Sequence, residues 1–146
     1  MAELDKWDTR FLELAKLISY WSKDIKTKVG CVITNDQHQV LSLGFNGLPR
    51  GVKDTEDRLC DKPTKLLLTI HAELNAVLNA TSSLKGATVY VTHRPCCRCA
   101  VSLVQSGVKR IVYLDPDSED WSGDDQEIMR EIVREAGVKL LEAKIR

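Results

Sequence analysis

Hydrophobic side chains near the start of the chain recur at the spacing of an amphipathic helix. They stand four, three, four and three residues apart and form one apolar stripe over the range 5–23. The stripe consists of Trp7, Phe11, Leu14, Ile18 and Trp21. We expect it to pack on the core of the protein, with part of it available to a subunit interface.

Two β-branched segments follow, over 28–34 and 39–45, and the turn residues Asn35-Asp36 lie between them. This pattern predicts two strands joined as a hairpin. Glycine and proline then interrupt the pattern over 46–51. Most of the range 52–65 is polar and is predicted to be the longest irregular loop of the chain.

The second half of the chain alternates predicted helices with predicted strands. The helices are predicted over 70–80, over 95–106 with Pro95 at or near the first helical position, and from Asp124 or Asp125 to about Gly137. The strands are predicted over 87–92, 109–114 and 138–142, the last as an edge strand. A loop is predicted over 115–123.

This order of elements predicts one layered α/β domain over 1–146, with helices on both faces of a five-stranded mixed sheet. Helical crossovers connect the last three strands, so these strands are expected to run parallel to one another. The length of 146 residues suits a single core, and 43% hydrophobic with 29% charged residues is ordinary for a globular protein.

The charge balance and the cysteine content indicate which partners the protein binds and in which compartment it occurs. Lys plus Arg equals Asp plus Glu at 21 each, which argues against a protein that binds long nucleic acids. No apolar run approaches the roughly 20 residues that span a bilayer, and the acidic start lacks the parts of a signal peptide. Five cysteines, two of them at metal-ligand spacing, fit a reducing cytosol. We therefore predict a cytoplasmic protein without a membrane partner.

Two short segments carry the candidate chemistry, His71-Ala72-Glu73 and Pro95-Cys96-Cys97-Arg98-Cys99. His71, Cys96 and Cys99 are predicted to bind one zinc ion, because structural zinc sites use four protein ligands whereas catalytic sites use three and keep a position for water. The two cysteines are three residues apart, so they lie on the same face of a helix. The first turn of that helix favours thiolates.

Glu73 is predicted to be the proton shuttle of this site. It is two residues from His71 and therefore points elsewhere from a regular helix. A zinc-bound water can have its pKa lowered from 15.7 to about 7, and Glu73 can take the proton of that water and return it to the leaving group. The alternative is a structural zinc site completed by Cys97, Cys60 or His93.

Several segments resemble the cytidine-deaminase superfamily, and more specifically the dCMP deaminases. The zinc segments match the superfamily, and the combination of G-F-N-G-L-P-R-G with H-A-E-L-N-A points to dCMP. The similarity covers roughly 7–142. The matching segments are 28–33, 44–51, 70–77, 90–92, 95–100 and 105–113.

The resemblance implies a three-layer α/β/α fold and hydrolysis of dCMP to dUMP and ammonia, which supplies thymidylate synthesis. It implies that Asn46 holds the deoxyribose hydroxyl and that the backbone of Ala72 reads the pyrimidine edge. It also implies a homohexamer activated by dCTP and inhibited by dTTP, with Mg²⁺ accompanying the effector. The implied allosteric residues are Gly44, Phe45, Asn46, Gly47 and Arg50. The small size is similar to phage or viral forms, for which the compartment is the host cytoplasm.

Other residues are candidates for substrate binding, and each has a structural or surface role as the alternative. Lys26 stands where relatives carry a basic phosphate ligand, although Lys23 and Lys28 are equally available and each can be a solvated charge. His93 can contact the phosphate or the ring, or cap a turn. Thr92 and Tyr113 can line the pocket, whereas an aromatic residue in a strand is more often core.

The chain departs from the family pattern at two places. Phe45 stands where Tyr is frequent, and Cys60 alone in its loop argues against a second zinc ion. Cys31 is expected in the core, and Cys97 is expected not to bind the metal. The competing functions are deamination of another substrate, namely dCTP or another cytosine nucleotide, free cytidine or a tRNA adenosine, and a non-catalytic scaffold stabilised by zinc.

Overall fold

A computed structural model describes residues 4–114 and 124–144, which form six helices and five strands. The helices are α1 (Lys6–Ser19), α2 (Glu56–Cys60), α3 (Lys62–Leu68), α4 (Ala72–Asn79), α5 (Cys97–Gln105) and α6 (Asp124–Glu135). The strands are β1 (Gly30–Thr34), β2 (Val40–Phe45), β3 (Thr88–Val91), β4 (Arg110–Leu114) and β5 (Lys139–Ala143). The predicted loop 115–123, including Trp121, lies outside the described residues.

The five strands form one mixed sheet in the order β2-β1-β3-β4-β5. Strand β1 is antiparallel to both β2 and β3, whereas β3, β4 and β5 run parallel. The predicted hairpin, the parallel last three strands and the edge position of β5 are confirmed. That 1–146 is a single domain stays a prediction.

Helices cover both faces of the sheet, which confirms the predicted α/β/α layers. On one face, Phe11, Leu12 and Ile18 of α1 pack with Val32 of β1 and Val112 of β4. On the other face, α4, α5 and α6 enclose a second apolar cluster. Its members include Ile33, Ala76, Val89, Leu103, Ile111 and Met129. Because side chains alternate along a strand, neighbouring residues of the sheet enter different clusters.

Helix α1 is shorter than predicted because the chain turns after Ser19. Asp5 is the N-cap, and its side chain and that of Asp8 form a reciprocal capping box. After the helix, the Ser22 hydroxyl donates to the Asn46 carbonyl at 2.8 Å and directs the chain toward the sheet. Trp21 therefore lies beyond the helix, contrary to the predicted range 5–23, and its side chain is 54% exposed. That this part of the stripe serves a subunit interface stays a prediction.

The range 52–65, predicted as a loop, contains α2 and the start of α3. Both helices begin at a side-chain cap: Thr55 accepts from the Arg58 amide at 3.3 Å, and Asp61 accepts from the Thr64 amide at 3.2 Å. Neither helix contains a buried residue. The loop prediction failed because these helices lack the apolar period on which it relied.

Two glycines allow helices to approach the sheet closely. A Cβ at Gly30 would lie 2.0 Å from the Ala15 carbonyl oxygen of α1. A Cβ at Gly44 would lie 2.5 Å from the Ala76 nitrogen and 2.6 Å from the Ala72 carbonyl oxygen of α4. Gly44 therefore sets the position of α4, the helix that follows His71. Across 4–114 and 124–144, no helix has the length and apolar character needed to cross a membrane.

Candidate metal centre and active site

His71, Cys96 and Cys99 converge at the starts of two helices. His71 is the N-cap residue of α4 and Cys96 is the N-cap residue of α5, while Cys99 lies in the first turn of α5. The Nδ1 atom of His71 is 3.5 Å from the Cys96 Sγ and 3.3 Å from the Cys99 Sγ. Pro95 thus precedes the cap and lies near the first helical position, as predicted, but the helix begins at Cys97 and not at Pro95.

The three ligand atoms lie within 4.8 Å of one another, and in the described part of the chain they are the only such group of three or more His, Cys, Asp or Glu ligands. One imidazole nitrogen and two sulfurs are donors that suit zinc, and three is the ligand number of catalytic zinc sites. Neither Cys60, Cys97 nor His93 joins the group. The residues therefore fit a zinc ion.

Hydrogen bonding between the two cysteines and His71 favours the thiolate form of Cys96. The Cys99 thiol and His71 hydrogen-bond to Cys96 and, against the effect of burial, lower the pKa of Cys96 to about 4. The pKa of Cys99 is raised in return, first by this bond and then by burial. The bond to Cys96 also raises the pKa of His71. Both cysteines lie at a helix N-terminus, where unpaired N–H groups favour an anion.

Glu73 lies on the first turn of α4, beside the ligand group and outside it. The residue is only 5% exposed. Burial is the main reason that its pKa rises to about 7, and the charge of Cys96 adds to the effect. A carboxyl group that titrates near neutral pH can both accept and return a proton.

A cavity of about 560 Å³ opens beside Glu73 and the metal ligands. Its volume lies in the range of small-molecule sites. Four of the predicted substrate residues line it, namely Lys26, Asn46, Ala72 and His93. The lining also includes Asp24, Lys62, Lys65, Leu66, Thr69 and Arg94.

Residues 5–115 match the family model described as the cytidine and deoxycytidylate deaminase zinc-binding region. The chain belongs to this deaminase family. That membership confirms the predicted resemblance and the prediction of an enzyme.

Two curated relatives are similar to this family member over most of their length. One is an uncharacterized deaminase in the luxG 3′ region of Aliivibrio fischeri, which is 39% identical over 94% of this chain and 93% of its own. The other is the deoxycytidylate deaminase of Homo sapiens, 33% identical over 91% of this chain and 77% of its own.

One solved structure shows the same fold as this deaminase. It is the dCMP deaminase of cyanophage S-TIM5 in complex with dCMP and dUMP, with a TM-score of 0.76 and 23% identity. The match covers 97% of this chain and 100% of that one. The likeness confirms the predicted fold class.

Thr92 and Tyr113 do not line the cavity of this deaminase. The Thr92 hydroxyl accepts a bond from the Gly30 amide at 3.1 Å and lies 3.2 Å from the His93 Nδ1. Tyr113 is 5% exposed, and the Arg94 guanidinium lies 5.4 Å from the centre of its ring. Both residues support groups that do line the cavity, and direct contact with substrate stays a prediction.

Asn46 uses its side chain to hold a neighbouring loop. Its Oδ1 accepts from the Val29 amide at 2.8 Å, and its Nδ2 donates to the Thr27 carbonyl at 2.8 Å. The residue is 7% exposed and lies at the cavity wall. Contact with a deoxyribose hydroxyl stays a prediction, and an amide oxygen retains a second lone pair for it.

The predicted allosteric segment runs from Gly44 to Arg50, and its residue Asn46 lines the cavity. The Phe45 ring meets Trp21 edge-on, Gly47 pairs with Ile70 through two backbone bonds, and the Arg50 side chain donates to the Asn79 side chain at 3.0 Å. Its role in regulation stays a prediction.

Sequence reasoning missed four residues of the site. Lys62, Lys65 and Arg94 line the cavity with Lys26, whereas Lys23 and Lys28 are not among its lining residues. Asn75 donates to the Phe45 carbonyl at 2.8 Å and the Ile70 carbonyl at 3.4 Å, and so ties β2 to the residue before His71. The cap at Asp61 was the available signal for the helix that carries the two lysines.

Proposed function

We propose that this protein is a zinc-dependent hydrolase that deaminates dCMP to dUMP and ammonia and so supplies dUMP for thymidylate synthesis. The observation that carries the proposal is one cavity lined by the buried Glu73, two of the three zinc-type ligands and several lysines. Relatives named deoxycytidylate deaminase support the choice of substrate.

His71 through Nδ1 and Cys96 and Cys99 through Sγ would hold the zinc ion. Zinc bound there would supply Lewis acidity and lower the pKa of water. Two thiolates and a neutral imidazole balance the charge of the ion. The helix N-termini beside the ligands keep the site favourable for developing negative charge.

Glu73 is the general base and then the general acid in this proposal. Its carboxylate takes a proton from the attacking water as the oxygen bonds to C4 of cytosine, and it delivers that proton to N3. It then takes the second proton of that oxygen and delivers it to the amino group, so that the C4–N bond breaks and ammonia leaves. The raised pKa of Glu73 suits both directions of transfer.

The remaining lining residues are assigned to the rest of the nucleotide. The backbone of Ala72 meets the pyrimidine edge, Asn46 meets the deoxyribose hydroxyl, and Lys26 meets the phosphate with His93 beside it. The identity of Lys26 as a phosphate ligand is supported by its place in the lining. A cation there favours a charged nucleotide over the free nucleoside.

The test is ammonia release from dCMP, deoxycytidine and dCTP by the zinc-loaded protein, with Lys26→Met beside the wild type. We expect the highest kcat/KM with dCMP, and a loss of at least about tenfold in Lys26→Met that is confined to the nucleotides. Preference for deoxycytidine would contradict the proposal. Preference for dCTP would instead support the second candidate, which the several lysines of the lining favour.

Assembly and regulation are a separate part of the proposal. We infer a homohexamer that dCTP activates, with Mg²⁺, and that dTTP inhibits through Gly44, Phe45, Asn46, Gly47 and Arg50. Exposed apolar side chains near the end of α1, including Leu17, Tyr20 and Trp21, support an interface. Light scattering tests the mass, and Arg50→Ala should weaken both effector responses. A cytoplasmic location also stays a prediction.

A further inference from the structure

Three donors converge on one oxygen of a buried carboxylate at the rim of the substrate cavity. The Oδ1 atom of Asp24 accepts from the Lys26 amide at 2.8 Å and from the Thr27 amide at 3.0 Å. Lys65 Nζ lies 3.3 Å from the same oxygen. Burial opposes ionisation, but these bonds outweigh it and hold the pKa of Asp24 below its usual value. Asp24 is therefore a charged partner for Lys65.

The pair between Asp24 and Lys65 connects two segments of the chain that both line the cavity. Asp24, Lys26 and Thr27 belong to the loop after α1, whereas Lys65 belongs to α3, which also contributes Leu66 to the lining. The two partners are 41 residues apart in the chain. Their side chains are only 12% and 9% exposed, so water screens the pair weakly.

Apolar packing does little to hold α3 in place. The helix has seven residues, none of them buried, and its Leu66 and Leu67 are 64% and 84% exposed. A short helix without a buried apolar face owes little stability to its own sequence. The pair with Asp24 is therefore a principal attachment of α3 to the loop.

A second ion pair of the same loop provides a comparison, although its partner precedes α2 and does not belong to α3. Lys23 Nζ lies 3.3 Å from Asp54, but the two side chains are 70% and 28% exposed. Exposed pairs of this kind contribute little. Lys23 and Lys65 thus both lie 3.3 Å from an aspartate oxygen, but the Lys65 side chain is much less exposed.

We propose that Lys65 is a positioning residue: by pairing with Asp24 it holds α3 against the loop that carries Lys26 and so sets the width of the substrate cavity. Lys65 acts on the substrate through the shape of the wall and makes no bond to the phosphate. The kinetic consequence rests on the proposed function, whereas the attachment of α3 does not.

The experiment compares Lys65→Met, Lys65→Arg and the matched control Lys23→Met in the full-length, zinc-loaded protein. Hydrogen exchange of the amides in 56–68 is measured without substrate. Steady-state kinetics are measured with dCMP and with deoxycytidine, which lacks the phosphate. Zinc content reports whether each variant keeps its metal centre.

We expect the amides of 56–68 to exchange at least about tenfold faster in Lys65→Met, because α3 opens more often without the pair. KM should rise about tenfold for both substrates while kcat and zinc content stay close to those of the wild type. Lys65→Arg should restore most of the loss, since it keeps the charge. Lys23→Met should change each value by no more than about twofold.

Unchanged exchange in Lys65→Met would overturn the proposal. If, in addition, KM rose for dCMP alone, Lys65 would be a phosphate ligand. Hydrogen exchange alone tests whether Lys65 holds α3 in place, even where the turnover of deoxycytidine is too slow to measure. A wild-type protein that does not deaminate dCMP would refute the proposed function and leave the exchange test of Lys65 intact.

Discussion

Two buried carboxylates on opposite faces of the sheet have opposite electrostatic surroundings. Asp8 of α1 is 2% exposed and Glu73 of α4 is 5% exposed, so water reaches neither to any extent. The pKa of Asp8 is lowered, whereas that of Glu73 is raised to about 7. Burial alone therefore does not decide the state of a carboxyl group; its partners do.

Asp8 is surrounded by donors. The Arg110 guanidinium donates to both of its oxygens at 3.1 Å, and the Tyr90 hydroxyl donates to Oδ1 at 2.7 Å. Burial opposes ionisation here as well, but these bonds outweigh it. The group joins α1 to β3 and β4 and has a structural role.

Glu73 has sulfur and imidazole neighbours where Asp8 has a guanidinium. Burial and the charge of Cys96 disfavour its ionised form, and they outweigh the opposing effects of His71 and Cys99. The group therefore retains a proton that can be transferred near neutral pH. The two carboxyl groups thus differ in protonation: Asp8 is held as an anion by its donors, whereas Glu73 titrates near neutral pH.

The largest expected effect is the loss of turnover in Glu73→Gln. The amide keeps the size of the side chain but cannot accept the proton of water, so kcat should fall about 10³-fold. Zinc content, measured by atomic absorption, should equal that of the wild type. The corresponding Asp8→Asn variant should keep its kcat per folded molecule. Full turnover in Glu73→Gln would contradict its assignment as the proton shuttle.

Replacing Asp8 by alanine should produce the largest loss of stability. It leaves the Arg110 guanidinium, which is 24% exposed, and the Tyr90 hydroxyl without their buried partner. The free energy of unfolding should fall by about 3 kcal/mol. Urea denaturation monitored by circular dichroism measures the change. A loss no greater than that of an exposed control, Asp54→Ala, would show that the network adds little.

In zinc-free protein, Glu73→Gln should increase stability above neutral pH. The folded pKa of about 7 exceeds the usual value of 4.5, so the native state holds the proton more tightly and stability falls as the pH rises between these values. Removing the charge should therefore add on the order of 1–3 kcal/mol at pH 8 and nothing at pH 4.

Asp8 gives the opposite slope. Its folded pKa lies below the unfolded one, so its contribution is present above the unfolded pKa and is lost as the pH falls through the folded pKa. Urea titrations of wild type, Asp8→Asn and Glu73→Gln between pH 3 and pH 8 separate the two slopes. If both carboxyl groups changed the free energy of unfolding in the same direction with pH, the proposed difference between their pKa shifts would be wrong.

The smallest expected effect is that of Tyr90→Phe. The substitution removes one hydrogen bond to Asp8 and leaves the two from Arg110 in place. The free energy of unfolding should decrease by about 1 kcal/mol, which thermal denaturation can resolve. A loss as large as that of Asp8→Ala would mean that Tyr90, and not Arg110, is the principal partner.

Patterns that act over a few residues were read correctly from the sequence. The cysteines three residues apart and the pair His71 and Glu73 predicted one ligand group and one separate carboxylate, because helix geometry relates such positions directly. The mixed sheet was predicted from the connections between strands, because a short turn joins antiparallel strands and a helical crossover joins parallel ones. The helices within 52–65 were missed because they have caps but no apolar period.

The sequence by itself therefore predicted which three residues form the ligand group, which carboxyl group lies beside them, and the order of the elements along the chain. Only the tertiary structure decided which charges meet, since Asp8 and Arg110 are 102 residues apart and Asp24 and Lys65 are 41 apart. Local patterns specify the conformation of a segment, whereas the pairing of distant side chains depends on how the helices pack against the sheet. That packing made Asp8 a structural anion and left Glu73 available for proton transfer.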